Sequence, residues 1–297
     1  LQSDEVKKSV EAATFVTATD GNHGRGIAWT AHELGLKAVV YMPKGSARER
    51  LVNIRKLGAE AEITELNYDD TVRYAAECER KYGWVLVQDT AWEGYETIPT
   101  WIMQGYTTMA LETVEQMGQE IPTHIFLQAG VGAMSGALAA FFADYYQEKK
   151  PIITIVEPNK ADCIYRTAAA NDSKLHTVEG DMDTIMAGLS CGEPCTIGWE
   201  MLHRYADYFI SMPDYVAAKG MRILGNPTGE DARVISGESG AATTGFAAEL
   251  LMNKNLEQLR KEMKIDENSK FLCISTEGDT DQANYRAIVW DGAYPSF

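Results

Sequence analysis

Short apolar runs and amphipathic stretches alternate along the first half of the chain. "ATFVTA" (13–18) has strand length, and "GIAWTAHEL" (26–34) repeats its apolar residues at helical spacing until Gly35 breaks it. "KAVVYMP" (37–43) predicts a strand stopped by Pro43. Ser46 is placed to cap the helix "ARERLVNIRKL" (47–57), with Glu49 completing a capping box, and Gly58 ends it. "EAEIT" (60–64) predicts a third strand, "DDTVRYAAECERKY" (69–82) a third helix and "GWVLVQD" (83–89) a fourth strand. This rhythm implies parallel strands covered by helices.

After the loop "TAWEGYETIPT" (90–100) the pattern resumes. A helix is predicted over 101–117, then the strand "THIFLQA" (123–129), the loop "GVGAMSG" (130–136), the helix "ALAAFFADYYQE" (137–148) and the strand "PIITIVEP" (151–158). Regularity fades over 160–199, and long irregular connections inside a compact domain are often functional. Helices return at 200–205 and 216–224. "GESGAATTGFAAELLM" (237–252) is a loop opening a helix, and "KFLCIST" (270–276) is a last strand entering "EGDTD". The fold class is α/β, with two stacked lobes, each a mostly parallel sheet under helices: 1–105, and 106–297 as a larger lobe.

Composition narrows the partners. Of 297 residues, 45% are hydrophobic and 24% charged, an ordinary globular balance. The net charge of −16 would repel a phosphate backbone, so nucleic acid is not an expected partner. No run of about 18 apolar residues predicts a membrane span. The amino-terminal stretch "LQSDEVKKSV" is polar, with no signal-peptide core. Five cysteines with wide spacings fit a reducing, cytoplasmic setting; no metal site is expected, and a Cys163–Cys191 contact is conceivable.

Four glycine-rich loops follow strands or open helices: "TDGNHGRG", "AGVGAMSG", "SGESGA" and "STEGDTD". Ligands in open α/β sheets bind at the carboxyl ends of strands. Gly130–Gly136 lies between a strand and a helix, where free N–H groups and the helix dipole suit a phosphate. There is no Walker lysine. A dinucleotide reading remains, with Gly130 and Gly132 in place, Ser135 at the sixth position and Glu157 as the ribose-binding acid. It leaves the first and last loops without a role. A single phosphate on a polar ring uses all four: Asn22 at a ring oxygen, neighbouring N–H groups at a carboxylate, and Ser275 or Thr276 as a neutral hydroxyl beside a ring nitrogen.

The stretches "ATDGNHGRGIAWTA", "YMPKGSARERLVNIRKLGAE", "LQAGVGAMSGA", "VEP", "SGESGA" and "ISTEGDTD" together resemble the β-eliminating, fold type II pyridoxal-phosphate enzymes, the group of threonine deaminase and the tryptophan synthase β subunit. "QDTAWEGYE", "ADCIYR", "IMAGLSCGEP", "GWE" and "LGNP" make the chain similar to the diaminopropionate ammonia-lyase branch. The resemblance covers nearly the whole chain. It implies pyridoxal 5'-phosphate as cofactor, Asn22 at the ring oxygen, Gly130, Val131, Gly132, Ala133 and Met134 as the phosphate loop, and Ser275 rather than Thr276 at the pyridine nitrogen. It also implies Glu238 and Ser239 along the cofactor's other edge, and Thr19, Gly21 and His23 at the substrate.

The implied reaction removes both amino groups of 2,3-diaminopropionate, usually of either enantiomer, giving pyruvate and ammonia in a cytoplasmic homodimer. A substrate with two ammonium groups calls for carboxylates. Asp20 stands where relatives often keep a hydroxyl residue and is assigned as base for one enantiomer; Asp89 is assigned to the distal amine or to shared acid–base work. The plainer readings are a helix cap at Asp20, a turn aspartate at Asp89, and packing for Tyr68, Trp92 and His23. Alternatives are a serine/threonine dehydratase, an NAD enzyme, and a lysine-free binding or structural subunit. The family's cofactor lysine lies upstream of the first glycine loop. Only Lys7 and Lys8 precede that loop here, so the resemblance implies a nicked or truncated enzyme, or a portion of a longer chain, with the 106–297 lobe incomplete without that segment.

Overall fold

The computed structural model describes residues 3–10 and 12–296; the first two residues of the polar amino-terminal stretch lie outside them. The chain divides into two compact units, Leu1–Asp89 and Thr90–Phe297. Residue 105 falls inside a helix of the second.

In the first unit a short helix, α1 (Asp4–Ser9), precedes a four-stranded parallel sheet. The strands are β1 (Thr14–Ala18), β2 (Lys37–Met42), β3 (Glu60–Ile63) and β4 (Val85–Leu86), in the order β3-β2-β1-β4. The helices α2 (Asn22–Leu34), α3 (Arg48–Arg55) and α4 (Tyr68–Tyr82) connect them. Ala28, Ala31, Val40, Met42, Leu51 and Ile54 form one buried cluster in which small alanines let helices approach the sheet closely.

The predicted capping box does not form. α3 starts at Arg48, two residues beyond Ser46, with Ala47 in the cap position and no side-chain cap. Gly45 (φ +86°) turns the chain just before it, and Ser46 N–H donates to Pro43 O at 3.2 Å, so Ser46 closes a turn and its buried hydroxyl caps nothing. The fourth strand is also shorter than predicted. After Leu86, Val87 N–H still donates to Val16 O (2.9 Å), but then the Gln88 side chain takes over. Its Oε1 accepts the Ala18 N–H (2.9 Å) and its Nε2 donates to Ala18 O (3.1 Å), so a side-chain amide does the pairing a strand residue would do.

The second unit holds the parallel sheet β7-β6-β5-β8. It is built from β5 (His124–Gln128), β6 (Ile152–Pro158), β7 (Tyr208–Met212) and β8 (Phe271–Cys273). The helices are α5 (Thr97–Met117), α6 (Ala133–Tyr146), α7 (Cys163–Ala170), α8 (Thr196–Tyr205), α9 (Asp214–Gly225), α10 (Glu238–Met252), α11 (Glu257–Glu262) and α12 (Gln282–Val289). Along β5 the side chains alternate between two cores. Ile125 and Leu127 join Ala110, Val114, Leu138 and Phe142, whereas Phe126 joins Val216, Ala217, Ala242 and Phe246. A sheet buried on both faces reads as the continuous apolar run seen in the sequence. α7 and β7 arise in stretches the sequence reading left irregular or unassigned.

Candidate active site

In the first unit the site begins at the carboxyl end of β1. Thr19 is buried, and its Oγ1 accepts the N–H groups of Gly21 (2.9 Å) and Gly24 (3.1 Å), winding the chain into α2. A Cβ at Gly24 would lie 2.2 Å from Thr19 Cγ2 and 2.8 Å from Val40 Cγ1, so only glycine fits that turn. α2 opens at Asn22, four residues earlier than the apolar spacing predicts, and places Asn22 exposed on its first turn. Its cap residue is Gly21, with no side-chain cap, so Asp20 does not serve as the helix cap.

Asp20 instead meets Arg50. The Arg50 guanidinium donates through Nη1 to Asp20 Oδ2, and both side chains are largely sequestered, 7% and 15% exposed. The stem of Arg50 lies over Gly21, where a Cβ would come within 2.9 Å of Arg50 Cδ.

Asp89 follows β4, the neighbour of β1 in the sheet. Its Oδ1 accepts from Gln88 Nε2 (2.9 Å) and from the Tyr68 hydroxyl (3.2 Å), which itself accepts from Gln88 Nε2 (3.1 Å). Its Oδ2 lies 3.9 Å from His23 Nδ1. The other ring nitrogen of His23 is 2.7 Å from Val87 O; a carbonyl only accepts, so Nε2 carries the hydrogen. Asp89 is therefore held by two side-chain donors, Gln88 and Tyr68, with His23 beside it. Gln88 is the residue that sequence reasoning missed here, its polar side chain just past a strand being the only signal, and Tyr68, read from the sequence as pocket lining or packing, opens α4 and donates to Asp89. Trp92, in the second unit, stacks on Tyr95 at 4.5 Å.

In the second unit the loop after β5 enters α6 through Gly132, whose φ of +91° is the left-handed conformation glycine adopts without strain. A Cβ there would meet Ile164 Cδ1 at 3.0 Å, and one at Gly130 would meet Cys191 Sγ at 3.1 Å. Cys163 Sγ sits 3.7 Å from Gly130 O, so both predicted cysteines pack against the same glycine. Val131 O accepts the Cys195 N–H (2.8 Å). No side chain caps α6, whose 14 residues leave their first N–H groups and dipole to an anion.

The amino end of α10 differs. Glu277 Oε1 accepts the N–H groups of Ser239 (2.8 Å) and Gly240 (3.3 Å), so a carboxylate of the chain already occupies it. Glu238 is buried and accepts from Asn284 Nδ2. Ser239 Oγ is buried with no hydrogen-bond partner among the described residues. Beyond β8, Ser275 Oγ donates to Ser236 Oγ (2.8 Å), and Thr276 Oγ1 accepts from Gln128 Nε2 (3.0 Å).

The dinucleotide reading fails at Glu157. Its carboxylate is fully buried and spent on the amino end of α7, accepting Ile164 N–H at 3.0 Å and Tyr165 N–H at 2.6 Å. Burial holds its carboxyl well above the usual range, against the pull of those two donors. A residue so enclosed cannot reach a ribose. Among the described residues no group of three or more His, Cys, Asp and Glu could hold a metal, and no helix is long and apolar enough to cross a membrane.

One uncapped helix opening after a glycine turn, an orphaned buried hydroxyl at Ser239 and hydroxyls past the last strand fit a phosphorylated pyridine cofactor. The family model described as "Pyridoxal-phosphate dependent enzyme" matches residues 2–262. The chain belongs to this family, and its two parallel sheets are those of fold type II. It is 52% identical over 297 residues to diaminopropionate ammonia-lyase of Escherichia coli strain K12, covering 99% of this chain and 74% of that protein. The crystal structure of the holo Escherichia coli enzyme superposes with a TM-score of 0.92 at 52% identity, covering 98% of this chain and 74% of that one. The same enzyme in complex with D-serine gives 0.91 at 50% identity, covering 98% and 73%. Within the family, the chain belongs with the diaminopropionate ammonia-lyases.

Proposed function

We propose that this chain carries out the elimination of 2,3-diaminopropionate, in which one substrate and one water give pyruvate and two molecules of ammonia. The observation that carries the reading is the pair of carboxylates, Asp20 and Asp89, at the carboxyl ends of the adjacent strands β1 and β4, each held by its own side-chain partners. A substrate with a second ammonium group gains from two such anions; serine or threonine has no use for the second.

Pyridoxal phosphate, when bound, supplies an electron-poor ring that takes up the electrons of the substrate's Cα–H bond. The α6 amino end, with the backbone of Gly130, Val131, Gly132, Ala133 and Met134, holds its phosphate. Ser275 would stand at the pyridine nitrogen as a neutral hydroxyl, as the resemblance implies, with Thr276 its alternative. Asn22 takes the ring oxygen, and Glu238 and Ser239 line the far edge.

Asp20 accepts the Cα proton of one enantiomer; the resemblance gives the other to the cofactor's lysine. Asp89 holds the β-ammonium, so that the Cβ–N bond breaks with its electrons leaving on a protonated amine. The first turn of α2, with Thr19, Gly21 and His23 setting its shape, receives the substrate carboxylate. A cytoplasmic homodimer is part of the same reading, and light scattering reads the dimer. The Escherichia coli relative was crystallised with D-serine, which supports a site open to D-amino acids.

In the holoenzyme, Asp20→Asn is expected to lower kcat/KM for one enantiomer about 100-fold or more relative to the other, the lower range of general-base contributions. Equal losses on both would overturn the assignment. Asp89→Asn is expected to raise KM for diaminopropionate while leaving KM for serine nearly unchanged, measured by pyruvate release.

A further inference from the structure

We infer that Arg50 is the positioning residue that aims Asp20, and that through Asp20 it sets the balance between the two enantiomers. The inference rests on the proposed role of Asp20 as base. Three observations carry it. The guanidinium donates to Asp20 Oδ2. The arginine is 7% exposed, although a long cation on a surface helix such as α3 would ordinarily reach for water. Its stem is threaded over Gly21, where any side chain would collide with it at 2.9 Å. Sequence therefore gives up a Cβ at the residue next to Asp20 so that a charge 30 positions away can lie against it.

An unrestrained aspartate on a loop samples several rotamers, and a proton-transfer step needs one of them. With Oδ2 tied to a planar donor, the orientation of the whole carboxylate is fixed and Oδ1 is directed by it. A base used for only one enantiomer makes its positioning residue matter for only that enantiomer. A purely structural arginine, clamping α3 to the β1–α2 turn, would weaken both alike.

The test uses the holoenzyme with D- and L-2,3-diaminopropionate, in Arg50→Met, Arg50→Lys, Asp20→Asn and the double variant Asp20→Asn/Arg50→Met. Arg50→Met is expected to lower kcat for the Asp20-dependent enantiomer at least 10-fold more than for the other, with KM for both moving less than threefold. Arg50→Lys, which keeps a donor but loses the planar fork, should recover part of that bias. In the Asp20→Asn background, Arg50→Met should shift the enantiomer ratio less than twofold further.

Equal losses on both enantiomers in Arg50→Met would overturn the inference. So would a lysine variant as biased as the methionine one, or a full additional shift in the double variant. Asp20→Asn read alone reports on the parent assignment: if it leaves the ratio unchanged, the role of Asp20 itself falls. If Arg50→Met proves too unstable to assay, Arg50→Gln, which keeps a polar stem but loses the guanidinium, tests the same contact. It should give the same biased loss, and an unbiased loss would count against the inference.

Discussion

At Gly24 the first turn of the molecule has no slack. Alanine there would drive a methyl to 2.2 Å from Thr19 Cγ2, and neither side of the contact can retreat, because Thr19 is tied to two backbone amides and Val40 belongs to a central strand. Gly24→Ala is expected to destabilise the first unit by about 1–3 kcal/mol, the usual cost of overpacking, and a urea midpoint measures it. Glu157 offers a different test. Its folded-state affinity for a proton is raised by burial, so the native state holds that proton more readily than the unfolded chain. Its contribution to stability is therefore present at low pH. It declines as pH rises from the ordinary glutamate value, about 4.3, through the raised folded value. Glu157→Gln should flatten that decline in denaturation midpoints taken across the pH range. The chemistry of such residues was only half legible. "TDGNHG" announced Asp20 by its unusual place in a glycine loop, but nothing local connects it to Arg50, 30 residues on in another helix. Glu157 looked like a ribose ligand because its strand-end position was readable and its burial was not.

At the scale of elements, the amphipathic or apolar stretches bounded by glycine or proline became helices or strands near their predicted places: β1, β2, β5 and β6 among strands, α2 and α4 among helices. Several elements escaped, α11 and α12 among them, and three differences have a physical reason. β7 is an edge strand, mostly half-buried, and its weak burial alternation left no signal. α7 is capped by a carboxylate from β6, so its start signal lies outside its own sequence. β4 ends after two residues because Gln88 pairs with Ala18 through its side chain. Gln88→Ala would leave the buried N–H of Ala18 unmet, at about 1–3 kcal/mol, and its C=O with only the Thr17 hydroxyl at 3.4 Å. It should also loosen Asp89, so that thermal stability and diaminopropionate KM worsen together. In the second unit, Gly132→Ala forces a side chain into left-handed backbone, at roughly 1–2 kcal/mol, and presses on Ile164. Weaker pyridoxal-phosphate affinity by fluorescence titration, at unchanged secondary structure by circular dichroism, is the expected result.

For the molecule as a whole, charge is the property that was fully readable from the start. A net charge of −16 makes a field that attracts cations and repels anions. Diaminopropionate carries one more ammonium group than serine, so added salt should lower kcat/KM for diaminopropionate more steeply than for serine, an effect measured by initial rates across ionic strengths. The same field works against binding a phosphorylated cofactor, and this gives the treatment of helix ends its importance. α10 arrives with Glu277 already seated on its first amides, while α6 arrives bare. The folding chain has thereby spent one of its own anions to remove a competing address. Which of these two helices receives an anion is decided before any solute is present, and that choice is inherited from the covalent sequence, independent of concentration.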